Sequence, residues 1–488
     1  MSTNMSTSNL LSPGVKSFEK DNINYNINPS NNIAIFVGEF EKGPIEKPVF
    51  ITDILQFKLI FGRATESNYN QWYQVYNFLQ YSSNLYICRA AGQKIIASSN
   101  NGNIANSPGE WGNILTVEIY KSSDYFVNNL NNYFDEFQKE SKYLVLIKRL
   151  DKVVESFSVN DVSEIKSNYL EQINLEYGSY KLYGGYVEKA SSEDYKRAYN
   201  IFSKENYEID IIIADEDNND LAINLAEERK DCIAFLGLPR KFIDTIDVNG
   251  MILTTENDVI IHLGITEIKY LLKETEYKLI ETYLKSLKRS SYAFFTLGFC
   301  IIEDGFNNKK RIINLNADIA GLKSASSSKN SWLPSAGVQR GKVIHENTTI
   351  ILKQDYSDYL YKEGVNTFKQ NVLMTQKLFI NKPNLIDKLH SRNILNFIKR
   401  KCEKLLNKHV FNLNDRQIRG NIATELKILL EDILSSGGIE YGKVYVKQGA
   451  NIDSININIT IQIPTVVERI NINMTNVGTN LITDITGG

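Results

Sequence analysis

Short apolar runs alternate with amphipathic stretches along much of the chain. The runs that predict buried strands are 33–40, 84–90, 209–215 and 232–239. Apolar residues at helical spacing predict helices over 52–61, 71–81, 191–202 and 221–230, followed by a helix over 266–288 and a strand over 292–302. Apolar strands that alternate with helices are typical of a mainly parallel sheet covered on both faces.

Helix boundaries are marked by capping residues. Thr52 is predicted to cap the first helix and Gly62 to end it. Ser191 and Asp194 form a capping box in which Asp replaces the usual Glu. In the C-terminal part, Asn414 is predicted to cap a helix over 415–435.

Two regions depart from the α/β pattern. In the first region, the segments 115–120, 143–149 and 153–159 predict strands separated by polar turns, which indicates a β-rich insertion. After residue 390, two helices (391–408 and 415–435) precede the strands 443–448 and 454–463, the second of which alternates strictly, as in a sheet with one solvated face. Residues 1–28 have no periodic apolar face and predict an extended arm.

The predicted fold class is α/β and α+β multidomain. The domain boundaries follow from the changes in pattern: an N-terminal arm (1–28), an α/β domain (29–95 and 182–345), a β-rich insertion (96–181), a C-terminal α+β domain (346–463) and a C-terminal arm (464–488).

Composition narrows the function classes. The 488 residues, 42% of them hydrophobic, suffice for several cores, and a net charge of -2 gives no bias toward nucleic acid or anionic membranes. The longest near-apolar stretch, 293–302, is shorter than the ~20 residues that span a bilayer. Four dispersed cysteines predict buried thiols in a reducing compartment, and the N-terminus lacks the features of a secretion signal.

Candidate chemistry is sparse. Gly337 to Lys342 resembles a P-loop, but only three residues separate Gly337 from Gly341, and Val343 stands where the magnesium-binding hydroxyl belongs. Asp215, Asp217 and Asp220 form an acidic loop without the Gly and Glu of an EF-hand. We interpret that loop as solvated, with weak cation binding left open.

Other catalytic signatures are missing from the sequence. The four histidines are scattered and no GxSxG elbow occurs. Arg89 and Asp231 lie at strand ends, where a structural ion pair or a cap is the favoured interpretation. The pattern favours a structural protein without cofactor or metal. The alternative is a hydrolase or nucleotide-binding α/β enzyme with a β-rich insertion.

The helix over 391–408 is strongly basic. Its cations include Arg392, Lys399, Lys401 and Lys404, against the single acid Glu403. Two interpretations stay open, namely the solvated face of an ordinary amphipathic helix and a surface for an acidic partner. Nucleic acid is disfavoured, because no aromatic residues are interleaved with the charges.

A series of landmarks in order resembles contractile tail sheath proteins of bacteriophages and phage-tail-like particles. The landmarks are SPGV (12–15), FVGEFEKGPIEKPVFITDILQFKLIFG (36–62), LYICRA (85–90), PGEWGNILTVEI (108–119), LYGG (182–185), KDCIAFLGLP (230–239), DIAGLKSASSSKNSWLPSAGVQRG (318–341), EGVNTF (363–368) and GGIEYGKVYVKQGAN (437–451). The resemblance covers nearly the whole chain. It departs from the family pattern at Thr367, where a proline is usual.

The resemblance implies a function without catalysis. Sheath subunits stack as hexameric rings around an inner tube and contract to drive the tube through a cell envelope. The implied partners are other copies of the chain, the inner tail tube protein, and baseplate and tail terminator proteins, without nucleic acid or membrane insertion. The implied location is the virion tail, assembled in the host cytoplasm.

The resemblance also suggests roles for particular residues. Arm residues that would add strands to neighbouring subunits are Val15, Phe18, Val466, Val467, Ile470 and Ile472. The basic helix, through Arg392, Lys399, Lys401 and Lys404, would face the tube. An interdomain joint would be formed by Trp332, Pro334, Gly337, Arg340 and Gly341, with Trp332 anchored in a core and Arg340 holding a carboxylate or carbonyl.

Overall fold

The structure is a computed structural model of the 488-residue chain. It describes residues 32–121, 123, 130–134, 141–203, 207–243, 259–261, 268–271, 273–329, 332–345, 350–380, 386–449 and 454–466. The predicted N-terminal arm, including Val15 and Phe18, lies outside these ranges, as do Val467, Ile470 and Ile472.

The described ranges contain nine α-helices and 23 strands. The helices are α1 (Ile54–Phe61), α2 (Tyr69–Leu79), α3 (Ser192–Asn200), α4 (Asn219–Arg229), α5 (Glu274–Ser286), α6 (Asn316–Lys329), α7 (Gln354–Lys362), α8 (Leu389–Asn407) and α9 (Arg416–Ser435). The strands are β1 (Ala34–Gly38), β2 (Val49–Ile51), β3 (Leu85–Arg89), β4 (Lys94–Ile95), β5 (Ile104–Ala105), β6 (Leu115–Lys121), β7 (Tyr143–Arg149), β8 (Lys152–Val159), β9 (Leu170–Gln172), β10 (Gly178–Lys181), β11 (Tyr186–Val187), β12 (Ile211–Ile213), β13 (Ile233–Gly237), β14 (Val259–Ile261), β15 (Ile268–Leu271), β16 (Ala293–Leu297), β17 (Phe299–Asp304), β18 (Lys309–Asn314), β19 (Ile350–Ile351), β20 (Val365–Lys369), β21 (Val372–Leu373), β22 (Tyr441–Gln448) and β23 (Ile455–Gln462).

An eight-stranded sheet in the order β2-β3-β1-β12-β13-β16-β20-β21 organises the fold. Its six central strands are parallel, and β2 and β21 close the two edges in antiparallel orientation. Side chains of β1 alternate between two cores: Ile35 and Val37 face one, Ala34 and Phe36 the other. Helices α3, α4, α5 and α7 cover the first face, and α1, α2 and α6 cover the second. The predicted double-covered parallel sheet is confirmed.

The β-rich insertion forms its own small core. Strands β10, β6, β7 and β8 make a four-stranded antiparallel sheet, and β7 turns into β8 through Leu150, which has φ 57°. Trp111, Leu115 and Val145 belong to the core under this sheet. Arg89, at the end of β3, ties the insertion to the large sheet, because its guanidinium donates to the carbonyls of Gly43 and Pro108.

The C-terminal unit packs α8 and α9 against the hairpin of β22 and β23. Its buried core includes Ile394, Phe397, Leu426 and Leu430, and the inward residues of the hairpin cover this core only partly. Every second residue of β23 is exposed, as the strict alternation predicts.

Several predicted boundaries are wrong for identifiable reasons. The helix predicted over 266–288 begins only at Glu274, because Ile268–Leu271 pairs as β15 with β14 and β19. The strand predicted over 292–302 is divided at Gly298 into β16 and β17. The helix caps are Asp53 and Asp415, not the adjacent Thr52 and Asn414. The Asp53 carboxylate accepts a hydrogen bond from the Gln56 amide, and the Asp415 carboxylate accepts one from the Ile418 amide. The Ser191–Asp194 capping box is confirmed.

Strand pairing also bears on the predicted domain division. β20 pairs in parallel with β16, and β21 extends the same sheet, although both lie within the range 346–463 assigned to the C-terminal domain. Residues 365–373 are therefore part of the large sheet. The remaining boundaries stay predictions.

Gly298 allows the sharp change of sheet between β16 and β17. A Cβ atom at this position would lie 2.4 Å from the ring of Phe368, whereas a Cβ at Gly305 would meet nothing within 4 Å. We expect Gly298→Ala to lower the free energy of unfolding by about 1–3 kcal/mol through overpacking. Gly305→Ala, the matched control, should change it by less than about 0.5 kcal/mol. Urea unfolding followed by circular dichroism measures both; equal midpoints would contradict the proposed packing role of Gly298.

Candidate assembly site and interdomain joint

The predicted joint runs between two separate cores. Trp332, at its start, is 9% exposed and packs edge-on against Phe397 in the core of the C-terminal unit, with ring centroids 6.1 Å apart. Val343, eleven residues later, is buried in the core on the α1, α2 and α6 face of the large sheet. A single short segment thus contributes an apolar anchor to each part of the molecule.

Backbone hydrogen bonds attach this segment to the edge of the large sheet. The Gly337 amide donates to the Leu373 carbonyl at 2.8 Å, the Leu373 amide donates to the Gly341 carbonyl at 2.8 Å, and the Val343 amide donates to the Asn371 carbonyl at 2.9 Å. The Gly341 amide bonds the Gly337 carbonyl at 2.7 Å, and Gly337 has φ 79°, which favours glycine. The amides of Gly337, Gly341 and Val343 are therefore bonded within the protein and are not free for a phosphate.

The Arg340 side chain forms a hydrogen bond within its own loop. Its Nε donates to the Pro334 carbonyl at 2.8 Å, so the guanidinium holds the two ends of the turn together. A side chain at position 341 would be excluded, because a Cβ there would lie 2.7 Å from the Leu373 carbonyl oxygen. The geometry is that of a rigid connection, and its role as the interdomain joint remains a proposal.

The basic helix α8 lies against acidic groups of the α/β part. Lys404 pairs with Glu208 at 2.8 Å, and the Lys399 ammonium donates to the Lys230 carbonyl at 3.2 Å. Arg400 pairs with Asp210 and donates to the Asp231 carbonyl. These groups precede β12 and β13, so α8 docks along the amino ends of two central strands.

The other two cations of the predicted tube-facing set are also in contact with the same chain. Arg392 is 9% exposed, donates to the Ser291 backbone and side chain, and stacks over the Tyr292 ring. Lys401 lies over the Phe397 ring, with its ammonium 5.5 Å from the ring centroid. Arg392 is therefore not on an outer surface in this structure, whereas Lys399 is half-buried and Lys404 keeps an exposed side chain.

The hairpin of β22 and β23 has two open edges within the described part of the chain. The two strands pair over eight residues, from Tyr441–Gln462 to Gln448–Ile455. One face rests on α9 through Val444 and Ile459, and the other exposes Tyr445. A sheet of two strands is of marginal stability by itself, because its edge amides and carbonyls lack partners and its apolar face is thinly covered.

The path of the C-terminal arm begins beside α8. His390 Nε2 lies 3.1 Å from the Pro464 carbonyl oxygen, and Val466 is the last described residue and is half-buried. Pro464 starts the segment in which the sequence predicts an alternating, strand-forming run. The described chain therefore ends at Val466, close to both α8 and the hairpin.

The acidic loop does not assemble a cation site. Asp215 is buried and accepts hydrogen bonds from Gln71 at 2.8 Å and Asn218 at 3.1 Å. Burial, with the neighbouring Asp217, raises the Asp215 pKa to about 7. Asp217 and Asp220 point to solvent, so the three carboxylates do not converge. Sequence inspection could not distinguish the buried acid from the two exposed ones.

A cleft of about 620 Å³ lies between the large sheet and the insertion, at the carboxyl ends of β1 and β3. It is near the point where the strand order reverses, which is where enzymes with an open parallel α/β sheet bind their ligands. Its deepest cation, Arg89, is committed to backbone carbonyls, and Asp231 forms a buried pair with Arg229 elsewhere. Both strand-end residues thus have structural contacts, as favoured from the sequence.

The chain is similar in sequence to two tail sheath proteins, although no protein-family model matches it. It is 22% identical to the tail sheath protein of Enterobacteria phage T4 over 413 residues, covering 72% of this chain and 60% of that protein. The tail sheath protein of Vibrio phage KVP40 is 25% identical over 173 residues, covering 34% of this chain and 26% of that protein. The chain thus spans less than two thirds of the length of either relative.

Solved structures share the fold. A sheath tail protein of Listeria innocua superposes with a TM-score of 0.58 at 16% identity, covering 88% of this chain and 92% of that one. A contracted sheath complex of an extracellular contractile injection system superposes with a TM-score of 0.52 at 10% identity, covering 96% of this chain and 98% of that one. No helix among the described residues is both long and apolar enough to cross a bilayer.

The chain has the fold of sheath proteins from contractile systems. The relatives and structural neighbours described above are sheath proteins, which favours a structural protein over the alternative of a hydrolase or nucleotide-binding enzyme. The resemblance to contractile tail sheath proteins inferred from the sequence is confirmed, and so is the fold class.

Each of the three tryptophans lies in a different core, which allows a test of the joint. Trp72 reports on the large sheet, Trp111 on the insertion and Trp332 on the C-terminal unit. We expect Arg340→Ala to separate the urea midpoints of Trp72 and Trp332, measured by ¹⁹F NMR of 5-fluorotryptophan-labelled protein, because the turn loses its charge-assisted hydrogen bond. Lys342→Ala, which removes an exposed neighbouring cation, is the control. Coincident midpoints in Arg340→Ala would argue against a coupling role.

Proposed function

We propose that this chain is the structural subunit of a contractile tail sheath. It polymerises as stacked hexameric rings around an inner tube and contracts to drive that tube through a cell envelope. Its partners are further copies of the chain, the inner tube protein, and baseplate and terminator proteins. The homology to tail sheath proteins and the fold shared with a contracted sheath complex support this function.

The open hairpin carries the proposal. Strands from neighbouring subunits add to the free edges of β22 and β23, which supplies the backbone partners that the two-stranded sheet lacks. Each added hydrogen bond contributes about 0.5–1.5 kcal/mol, so a strand of several residues holds a neighbour firmly without a large apolar interface. The arms at 1–28 and 464–488 supply those strands.

Subunit arms of this kind keep the assembly connected while its shape changes. A rigid body formed by the large sheet and the C-terminal unit moves as one piece, and the connecting segments between subunits absorb the rotation. The energy for movement is stored in the assembled state, so the subunit needs no nucleotide and no catalytic residue.

The arm proposal is tested by charge placed on alternate residues of the C-terminal arm. We expect Ile470→Asp with Ile472→Asp to leave a folded monomer that forms no tubes in negative-stain electron microscopy, because the apolar side chains that face the neighbouring sheet are lost. Asn471→Asp with Asn473→Asp adds the same charge to the other face of the arm and should preserve tubes. Tubes from the isoleucine variant, or equal loss in both variants, would reject the proposed arm orientation.

The tube-facing role of α8 needs a test that separates it from the contact with Glu208. Lys404→Glu reverses one exposed charge of a pair that contributes little to stability, and we expect it to abolish tube-dependent assembly while the monomer stays folded. Adding Glu208→Lys restores the intrachain pair with its charges exchanged. If the double variant assembles on the tube again, the intrachain pair and not tube binding accounts for the loss.

A further inference from the structure

Three potential metal ligands meet where the joint contacts the large-sheet part. Cys300 lies on β17, Asp318 in the first turn of α6, and His345 four residues after Gly341, the last residue of the predicted joint. One ligand atom of each, a thiol sulfur, a carboxylate oxygen and an imidazole nitrogen, lies within 4.8 Å of the other two. Cys300 and Asp318 are fully buried, and His345 is mostly covered.

The imidazole shows that the cluster is incomplete as it stands. His345 Nε2 is shielded from solvent and 3.3 Å from Asp318 Oδ1, yet it has no hydrogen bond of acceptable geometry within the described part of the protein. A buried polar atom without a partner is costly. A cation between the three side chains would provide one.

The neighbouring groups are arranged as a supporting shell. Asn77 Nδ2 donates to Asp318 Oδ2 at 3.1 Å and lies 3.9 Å from Cys300 Sγ, and Tyr81 donates to Asp318 Oδ1 at 3.0 Å. The Tyr81 hydroxyl in turn accepts the amide of Ile344, next to His345. Hydrogen bonds of this kind fix the orientation of metal ligands.

We propose that Cys300, Asp318 and His345 bind a divalent cation of the zinc type. Sulfur, nitrogen and oxygen donors together suit Zn²⁺, and bond lengths of roughly 2.0–2.3 Å place the donor atoms of a tetrahedral site roughly 3.3–3.6 Å apart, which small movements of these side chains reach. The fourth position takes water. Binding releases the thiol proton to solvent, and the thiolate then accepts a hydrogen bond from Asn77.

The cation would fasten the end of the joint to the large-sheet part. His345 is two residues beyond Val343, whereas Cys300 and Asp318 belong to β17 and α6. The metal bridge would thus add to the backbone bonds that attach residues 337–343 to the sheet edge. This role is independent of the proposed tube and arm contacts.

The test uses Co²⁺ as a spectroscopic substitute for zinc in the full-length protein, stripped of metal with a chelator and dialysed. We expect one equivalent of Co²⁺ to give the visible bands of a tetrahedral site and a thiolate-to-cobalt charge-transfer band in the near ultraviolet, both displaced by Zn²⁺. Cys300→Ser should lose the charge-transfer band. Cys232→Ser, which alters another fully buried cysteine, should retain it.

A second variant covers the case in which Cys300→Ser does not fold. His345→Ala changes a partly exposed side chain, and we expect it to keep the thermal midpoint of the metal-free protein but to lose the rise in that midpoint produced by Zn²⁺. If the unmodified protein shows no cobalt bands, His345 and Asp318 form an ordinary imidazole–carboxylate pair, and the proposal is overturned. A charge-transfer band that survives in Cys300→Ser, or a full Zn²⁺ response in His345→Ala, also overturns it.

Discussion

A short backbone ladder between residues 337–343 and 371–373 attaches the predicted joint to the edge of the large sheet. Amide-to-carbonyl bonds are directional, so the ladder sets the position at which the chain leaves the sheet edge. Trp332 and Val343 then lock its two ends in different cores. With the ladder in place, α8 meets the amino ends of β12 and β13, where Arg400 and Lys404 find acidic partners.

Polar contacts between α8 and the sheet suit a joint that must stay closed without an extended apolar interface. The exposed pair of Lys404 and Glu208 contributes little energy, whereas the buried contacts of Arg392 contribute orientation as well as affinity. Several moderate contacts thus link the two parts, and in the proposed assembly they would hold the open hairpin at a constant angle. If neighbouring subunits pull on this chain as proposed, a constant orientation of the hairpin matters more than high stability.

Local chemistry made much of the fold predictable. Apolar runs predicted the central strands, and the Ser191–Asp194 box predicted the start of α3, because these signals act within a few residues. Non-local pairing defeated the same reasoning at Ile268–Leu271, a segment of helical spacing that becomes a strand because distant strands accept its backbone groups. At Gly298, where the strand divides, a Cβ atom would meet the ring of Phe368, a contact seventy residues away that the sequence alone does not show.

In the candidate site too, features set by nearby residues were predictable, and features set by distant residues were not. The sequence predicted a joint and singled out the cations of α8, but the partners of those cations, Glu208 and Asp210, come from a different region and became visible only in the fold. The cluster of Cys300, Asp318 and His345 was missed because its members are 18 and 27 residues apart and match no spacing motif. The only sequence signal was a histidine just after the joint.

The strict alternation of β23 has a consequence for any strand that joins the hairpin. Its inward and outward residues differ in polarity, so a joining strand that slips by one residue exposes its whole apolar set, and only shifts by two residues restore the match. Two residues of a strand advance about 7 Å. Links between subunits made at this edge would therefore change length only in discrete steps of two residues, and not continuously, when the subunits are pulled apart.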